Sequence, residues 1–305
     1  MSEQGVAVRV CVLLFAGTVL FGCVTTPKKV SPVLQQAARH NQKGLRAEAQ
    51  KSFKAAEAEF AESYRLYSSV EDYGGMVTTL INSSRLYRAA GAVRKAEMAT
   101  ERAVVLSENT PELAAEVWFE KAKLLLLQNR NDEAALWCDK AKQAAPVSEQ
   151  PRMFNLSAEI FLNKGVRPQA GQLAEEALKL SRKSGDRREE ANALRLLGGI
   201  ELIEKRAGAA IVHFKEALAI DKELALSRKI SADLRALSQS YESMGVMSDA
   251  AAYLQRAFDA ALADGELKQS ALDLEKLALL YERSGQKEAV AKTEELRRKL
   301  LQENK

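Results

Sequence analysis

The chain has 305 residues, with 45 Lys and Arg against 41 Asp and Glu, for a formal net charge of +4. So mild an excess, with acids and bases interspersed as on solvated helix faces, is not the footprint of a nucleic-acid-binding domain. Three cysteines and two histidines leave little material for a disulfide framework, a metal site or acid–base catalysis.

In chain order, the first feature is an apolar stretch from Val10 to Phe21. It is shorter than the roughly 20 residues a membrane span requires and reads as the hydrophobic region of a secretory signal. It ends in Leu20-Phe21-Gly22-Cys23, which resembles the lipobox of bacterial lipoproteins. That resemblance implies a signal peptide over 1–22, cleavage before Cys23, and lipidation of Cys23 with palmitate-type chains. Val24 follows where, in many enteric-type bacteria, an aspartate retains lipoproteins in the inner membrane. The expected address is therefore the periplasmic face of the bacterial outer membrane. Residues 23–36, with Thr25, Thr26, Pro27, Lys28, Lys29, Ser31 and Pro32, read as a flexible tether. Extended, it would hold the first folded unit up to roughly 40 Å from the lipid. Cys11 leaves with the signal, and Cys138 is expected to be a buried packing residue.

From residue 37 to 305 the chain repeats itself. Units begin near Ala37, Val77, Ala115, Pro151, Ala191, Ser231 and Ala271, at spacings of 40, 38, 36, 40, 40 and 40 residues. The eighth residue of each is small: Gly44, Ser84, Ala122, Ala158, Gly198, Ser238 and Ala278. Alanine pairs seven residues apart recur as Ala96/Ala103, Ala134/Ala141, Ala170/Ala177, Ala210/Ala217 and Ala250/Ala257. Gly91, Gly165, Gly245 and Gly285 mark turns inside four units, and Gly185-Asp186 and Gly265-Glu266 fall six residues before the next unit. In the unit from Ser231, Leu234, Leu237, Ser238 and Tyr241 share one helix face. Pro27, Pro32, Pro111, Pro146 and Pro151 are assigned to the tether or to connections between helices. Pro168 is assigned to a helix start, where proline is tolerated.

This pattern resembles the tetratricopeptide repeat (TPR), with its W-x2-L-G-x2-Y, A-x3-F and closing Pro. Trp118, Ala122, Ala134, Ala141 and Pro146 are in register in one unit, and Leu197-Gly198, Ala210, Phe214 and Ala217 in another. Tyr87, Tyr241 and Tyr281 hold the tyrosine position. The resemblance implies an all-α, right-handed superhelical solenoid of about seven TPR-like hairpins. Most units exceed the usual length of about 34 residues, which is expected to lengthen the second helix by about a turn. The first and last units are degenerate, as ends of a solenoid facing water should be.

Catalytic signatures are missing. No H-E-x-x-H, P-loop or G-x-S-x-G occurs, and Ser284-x-x-Lys287 straddles the Gly285 turn. His213 is expected on a solvated face. No enzyme activity, cofactor, metal, nucleic acid or small-molecule substrate is inferred. What the resemblance implies instead is recognition of a protein or peptide by the concave groove that first helices line. The groove positions fall on Arg85, Arg88, Glu116, Lys123, Arg152, Asn155, Glu159, Asn192, Arg195, Arg235, Gln239 and Glu242. The proposed partner-binding set is Arg85, Arg88, Lys123, Arg152, Asn155, Asn192, Arg195, Arg235 and Gln239, with Arg195 and Arg235 solvent-facing one layer apart. The lysine and asparagine pattern that clamps chaperone C-termini is not reproduced. The expected function is a lipid-anchored scaffold for other envelope proteins. The alternative is a cytoplasmic peptide-sensing TPR regulator.

Overall fold

A computed structural model describes residues 31–302; the signal, Cys23 and most of the tether lie outside them. Fourteen α-helices form seven hairpins. These are α1 (Pro32–Ala49) with α2 (Phe53–Ser68), α3 (Tyr73–Ala89) with α4 (Val93–Leu106), and α5 (Ala114–Leu127) with α6 (Asn131–Ala144). Then follow α7 (Gln150–Asn163) with α8 (Arg167–Ser184), and α9 (Arg187–Ile203) with α10 (Ala207–Glu223). The last are α11 (Ser227–Ser243) with α12 (Met247–Ala263), and α13 (Leu267–Arg283) with α14 (Lys287–Gln302). No strand occurs among the described residues, and none of their helices is long and apolar enough to cross a membrane.

Residue size sets the spacing inside each hairpin. An ideal Cβ on Gly198 would stand 2.9 Å from the Phe214 ring, and one on Gly44 would stand 2.5 Å from Phe60. The eighth residue of the unit is thus small because it receives the side chain four residues past the first alanine of the second helix. Where that partner is Thr100, the small residue is Ser84, and their hydroxyls bond at 2.7 Å. Ala122 and Cys138 share one core cluster in the same way. All five alanine pairs are at most 1% exposed, so a larger side chain there would force the helices apart.

Turn chemistry separates the helices. Gly91, Gly165, Gly245 and Gly285 adopt left-handed φ of 72° to 78°, which costs glycine little. The other three hairpins reach the same region with Lys51, Asn129 and Lys205. Between hairpins, Gly185 caps α8 in left-handed conformation, and Asp186 then caps α9 by accepting the Glu189 N–H at 3.0 Å.

Several expectations are corrected here. Residues 32–36, assigned to the tether, are the first turn of α1. Pro32 and Pro151 stand inside first turns, not between helices, because an N-terminal N–H has no helical partner to lose. The extra length is shared by both helices: α9 to α13 are 17 residues each, against 14 for α4 to α7. His213 is half-buried rather than solvated, with Nδ1 enclosed. The first hairpin is more regular than expected, since Ala56 and Phe60 against Gly44 repeat the arrangement of Ala210, Phe214 and Gly198.

Each helix packs on its chain neighbours, and α1, α3, α5, α7 and α9 also pack on the next first helix. Among the described residues, no such packing joins successive second helices. The closer layer lies on the inside of the curve, so first helices line the concave face.

Candidate functional site

The concave face encloses a cleft of about 860 Å³. Seven of the nine partner-binding residues expected from the sequence line it: Arg85, Arg88, Lys123, Arg152, Asn155, Asn192 and Arg195. Arg235 and Gln239 lie beyond its lining. Glu48, Glu120, Glu189, Arg188 and Lys229 complete the polar wall, and Phe119, Leu156, Leu162 and Leu196 form apolar ground beneath.

These side chains are built into a ladder running from one layer to the next. Arg85 of α3 donates to Glu120 of α5 at 2.7 Å and to Glu116, and Arg88 reaches the other Glu120 oxygen at 2.7 Å. Arg152 of α7 pairs back to Glu116 and lies over the Phe119 ring, 4.3 Å from its centroid. Asn155 donates to the Glu189 carbonyl at 2.9 Å and carboxylate at 2.8 Å, and Asn192 joins that carboxylate at 3.1 Å. Burial alone would raise the Glu120 carboxyl, but Arg85 and Arg88 hold it below the usual range. It therefore stays ionised at neutral pH, and the ladder keeps its charges.

Arg195 and Arg235 are not the solvent-facing pair the repeat register suggested. The Arg195 side chain is 15% exposed, and its guanidinium stands 3.1 Å from Asp221 of α10 and 3.5 Å from Asp233 of α11, both wholly buried. Arg235 donates to Asp273 of α13 at 2.7 Å. Both act as ties between layers, because their layer partners carry an acid aimed at them. Burial, with Asp221 alongside and against the pull of Arg195, pushes the Asp233 carboxyl up to about 7.

Lys123 and Lys229 are different. Both are pushed below the usual lysine value, first by burial in the cleft, then by Arg88 for Lys123 and Arg195 for Lys229. With exposed Arg188 and Glu159 they are the groups presented to the cleft. Arg188 and Lys229 were missed in the sequence because the repeat frame begins several residues inside each first helix. Stepping back four residues from Asn192 reaches Arg188 on the same face. Cys138 is 1% exposed, and burial pushes its thiol up to about 11, so it is a packing group and not a nucleophile.

No family model and no curated protein matches the sequence, but solved structures do match the fold. A Rap protein complexed with competence and sporulation factor superposes with a TM-score of 0.62 at 14% identity, over 88% of this chain and 76% of that one. PilW, a widely conserved type IV pilus biogenesis factor, gives 0.56 at 15% identity, over 73% and 92%. The nearly identical TPR-like repeats of a putative kinesin light chain from Podosopora anserina give 0.53 at 14%, over 64% and 98%. The chain is an all-helical solenoid of TPR-like hairpins.

Proposed function

We propose that this chain is a lipid-anchored scaffold that holds a segment of another envelope protein in its concave groove. The observation that carries the reading is the cleft itself. Its polar wall is fixed in place by inter-layer ion pairs and hydrogen bonds, while Phe119, Leu156, Leu162 and Leu196 offer apolar contact. A polypeptide needs both: donors and acceptors for its backbone, and apolar ground for alternate side chains. Holding the wall rigid in advance lowers the ordering cost of binding. The Leu20-Phe21-Gly22-Cys23 motif supports an anchor at Cys23 on the periplasmic face of the bacterial outer membrane, and the likeness to a pilus biogenesis factor is in keeping with an envelope role.

A photoreactive residue placed at Arg188 or Glu159, both exposed in the groove, is expected to crosslink a polypeptide in intact envelopes. The same residue at Met98 or Leu136, exposed on second helices, should crosslink several-fold less. Preferential capture from Met98 and Leu136 would move the binding surface to the outer face. The likeness to a Rap protein complexed with competence and sporulation factor favours one second reading, a peptide-sensing regulator in the cytoplasm. Palmitate labelling separates the two, since only the anchored form takes label at Cys23.

A further inference from the structure

The first and sixth hairpins of the solenoid meet. Lys51, in left-handed φ of 59° at the tip of the α1–α2 turn, reaches the turn between α12 and α13, 213 residues along the chain. Its ammonium donates to Asp264 Oδ2 at 2.9 Å, to Glu266 Oε1 at 3.1 Å and to the Asp264 carbonyl. Arg228 of α11 donates to Glu266 at 2.8 Å, and the Ser227 hydroxyl to Asp264 Oδ1 at 2.7 Å. Hydrogen bonding from Lys51 is the first cause holding both carboxyls below their usual range, so the cluster is fully charged near neutral pH.

Apolar packing does not support this closure. Among the described residues, α1 packs on α2 and α3, whereas α12 packs on α11 and α13. The join rests on a few polar side chains, and the Lys51 side chain keeps 34% of its surface exposed and Arg228 56%. Ion pairs of this kind are individually weak and are screened by salt. The curvature of a solenoid is a sum of small rotations between layers, so the ends can separate without any hairpin unfolding.

We propose that Lys51, Arg228, Asp264 and Glu266 form a reversible clasp that closes the superhelix into a ring and completes the cleft. Glu48 of α1 and Lys229 of α11 line the same cavity, although they belong to hairpins at opposite ends of the join. Opening the clasp separates those walls and admits the middle of a chain; closing it leaves entry only to a free end. A ligand touching both walls favours the closed ring, and by reciprocity the closed ring binds that ligand more tightly. The contacts that form the clasp are all within the chain and involve no groove occupant.

The test is intramolecular energy transfer in the full-length protein, with fluorophores on non-natural residues replacing the exposed Gln50 and Lys268. Transfer should be high at about 0.01 M ionic strength, where charges interact over ~30 Å, and should fall at about 1 M, where they interact over ~3 Å. Lys51→Asn removes the ammonium but tolerates left-handed φ, and should lower transfer at both salts with unchanged helicity. Lys51→Glu and Arg228→Glu combined with Asp264→Lys and Glu266→Lys reverse every charge of the clasp and should restore transfer at low salt relative to Lys51→Glu with Arg228→Glu alone. Transfer that is indifferent to salt and to Lys51→Asn, or low in the unaltered protein at low salt, would overturn the clasp. Neither result bears on whether the groove binds polypeptide.

Discussion

Asp221 and Asp233 are two wholly buried carboxylates sharing one guanidinium, that of Arg195. One cation cannot balance two anions in a medium that solvates neither well, so Asp233 keeps its proton until about pH 7. An unfolded aspartate ionises near pH 4. Between these values the folded protein holds the extra proton, so stability falls as pH rises through this window and the full loss is present above it. Asp233→Asn mimics the protonated form and should flatten that slope. Urea melts at about pH 5 and pH 8 should show the substituted protein losing about 2–3 kcal/mol less than the parent across the interval. Equal slopes would mean that the pair is not what titrates.

At the scale of the element, the unit of construction is a matched pair of sizes across one hairpin. Gly198 receives Phe214, Gly44 receives Phe60, and Ser84 receives Thr100. Gly198→Leu would be favoured by helix propensity alone, yet it drives a side chain into the Phe214 ring. The overpacking should cost about 1–3 kcal/mol. Phe214→Ala by itself opens a cavity, with a cost of about 3–5 kcal/mol. Together the two changes should cost clearly less than their sum, because the new leucine occupies the space the ring vacates. Denaturant melts of the four proteins in this cycle measure the coupling. Strict additivity would show that the two positions do not pack as described.

At the scale of the whole molecule, neighbouring layers of the solenoid are held by ties that run between them: Arg85 and Arg88 to Glu120, Asn155 to Glu189, Arg195 to Asp233, Arg235 to Asp273. These fix the relative rotation of neighbouring hairpins, which in a solenoid determines the curvature of the groove. Under the proposed lipid anchor, where that groove sits in the cell depends on Cys23, ahead of the fold. Two or three acyl chains, each contributing about 0.8 kcal/mol per buried CH₂, hold a protein on a bilayer where one does not. Cys23→Ala should therefore give an unprocessed or soluble species. A variant that is still cleaved, still labelled with palmitate and still membrane-bound would refute the anchor.

The local chemistry of the chain was enough to define its hairpins. Small eighth residues, alanine pairs and turn glycines each act within one hairpin, over spacings a reader can count, and all of them are buried or left-handed where the register requires. Seven groove residues were legible through the TPR resemblance, which assigns Arg85, Arg88, Lys123, Arg152, Asn155, Asn192 and Arg195 to groove positions of the first helices, and these line the cleft. Their freedom was not legible. Whether an arginine is available to a partner or committed to a neighbouring layer depends on an acid in another hairpin, as Asp273 for Arg235 and Asp233 for Arg195. The meeting of Lys51 with Asp264 and Glu266 was further still from view. It results from small inter-layer rotations summed over five hairpins, and no spacing in the sequence records that sum; only the tertiary structure brings residues 213 positions apart into one ionic cluster.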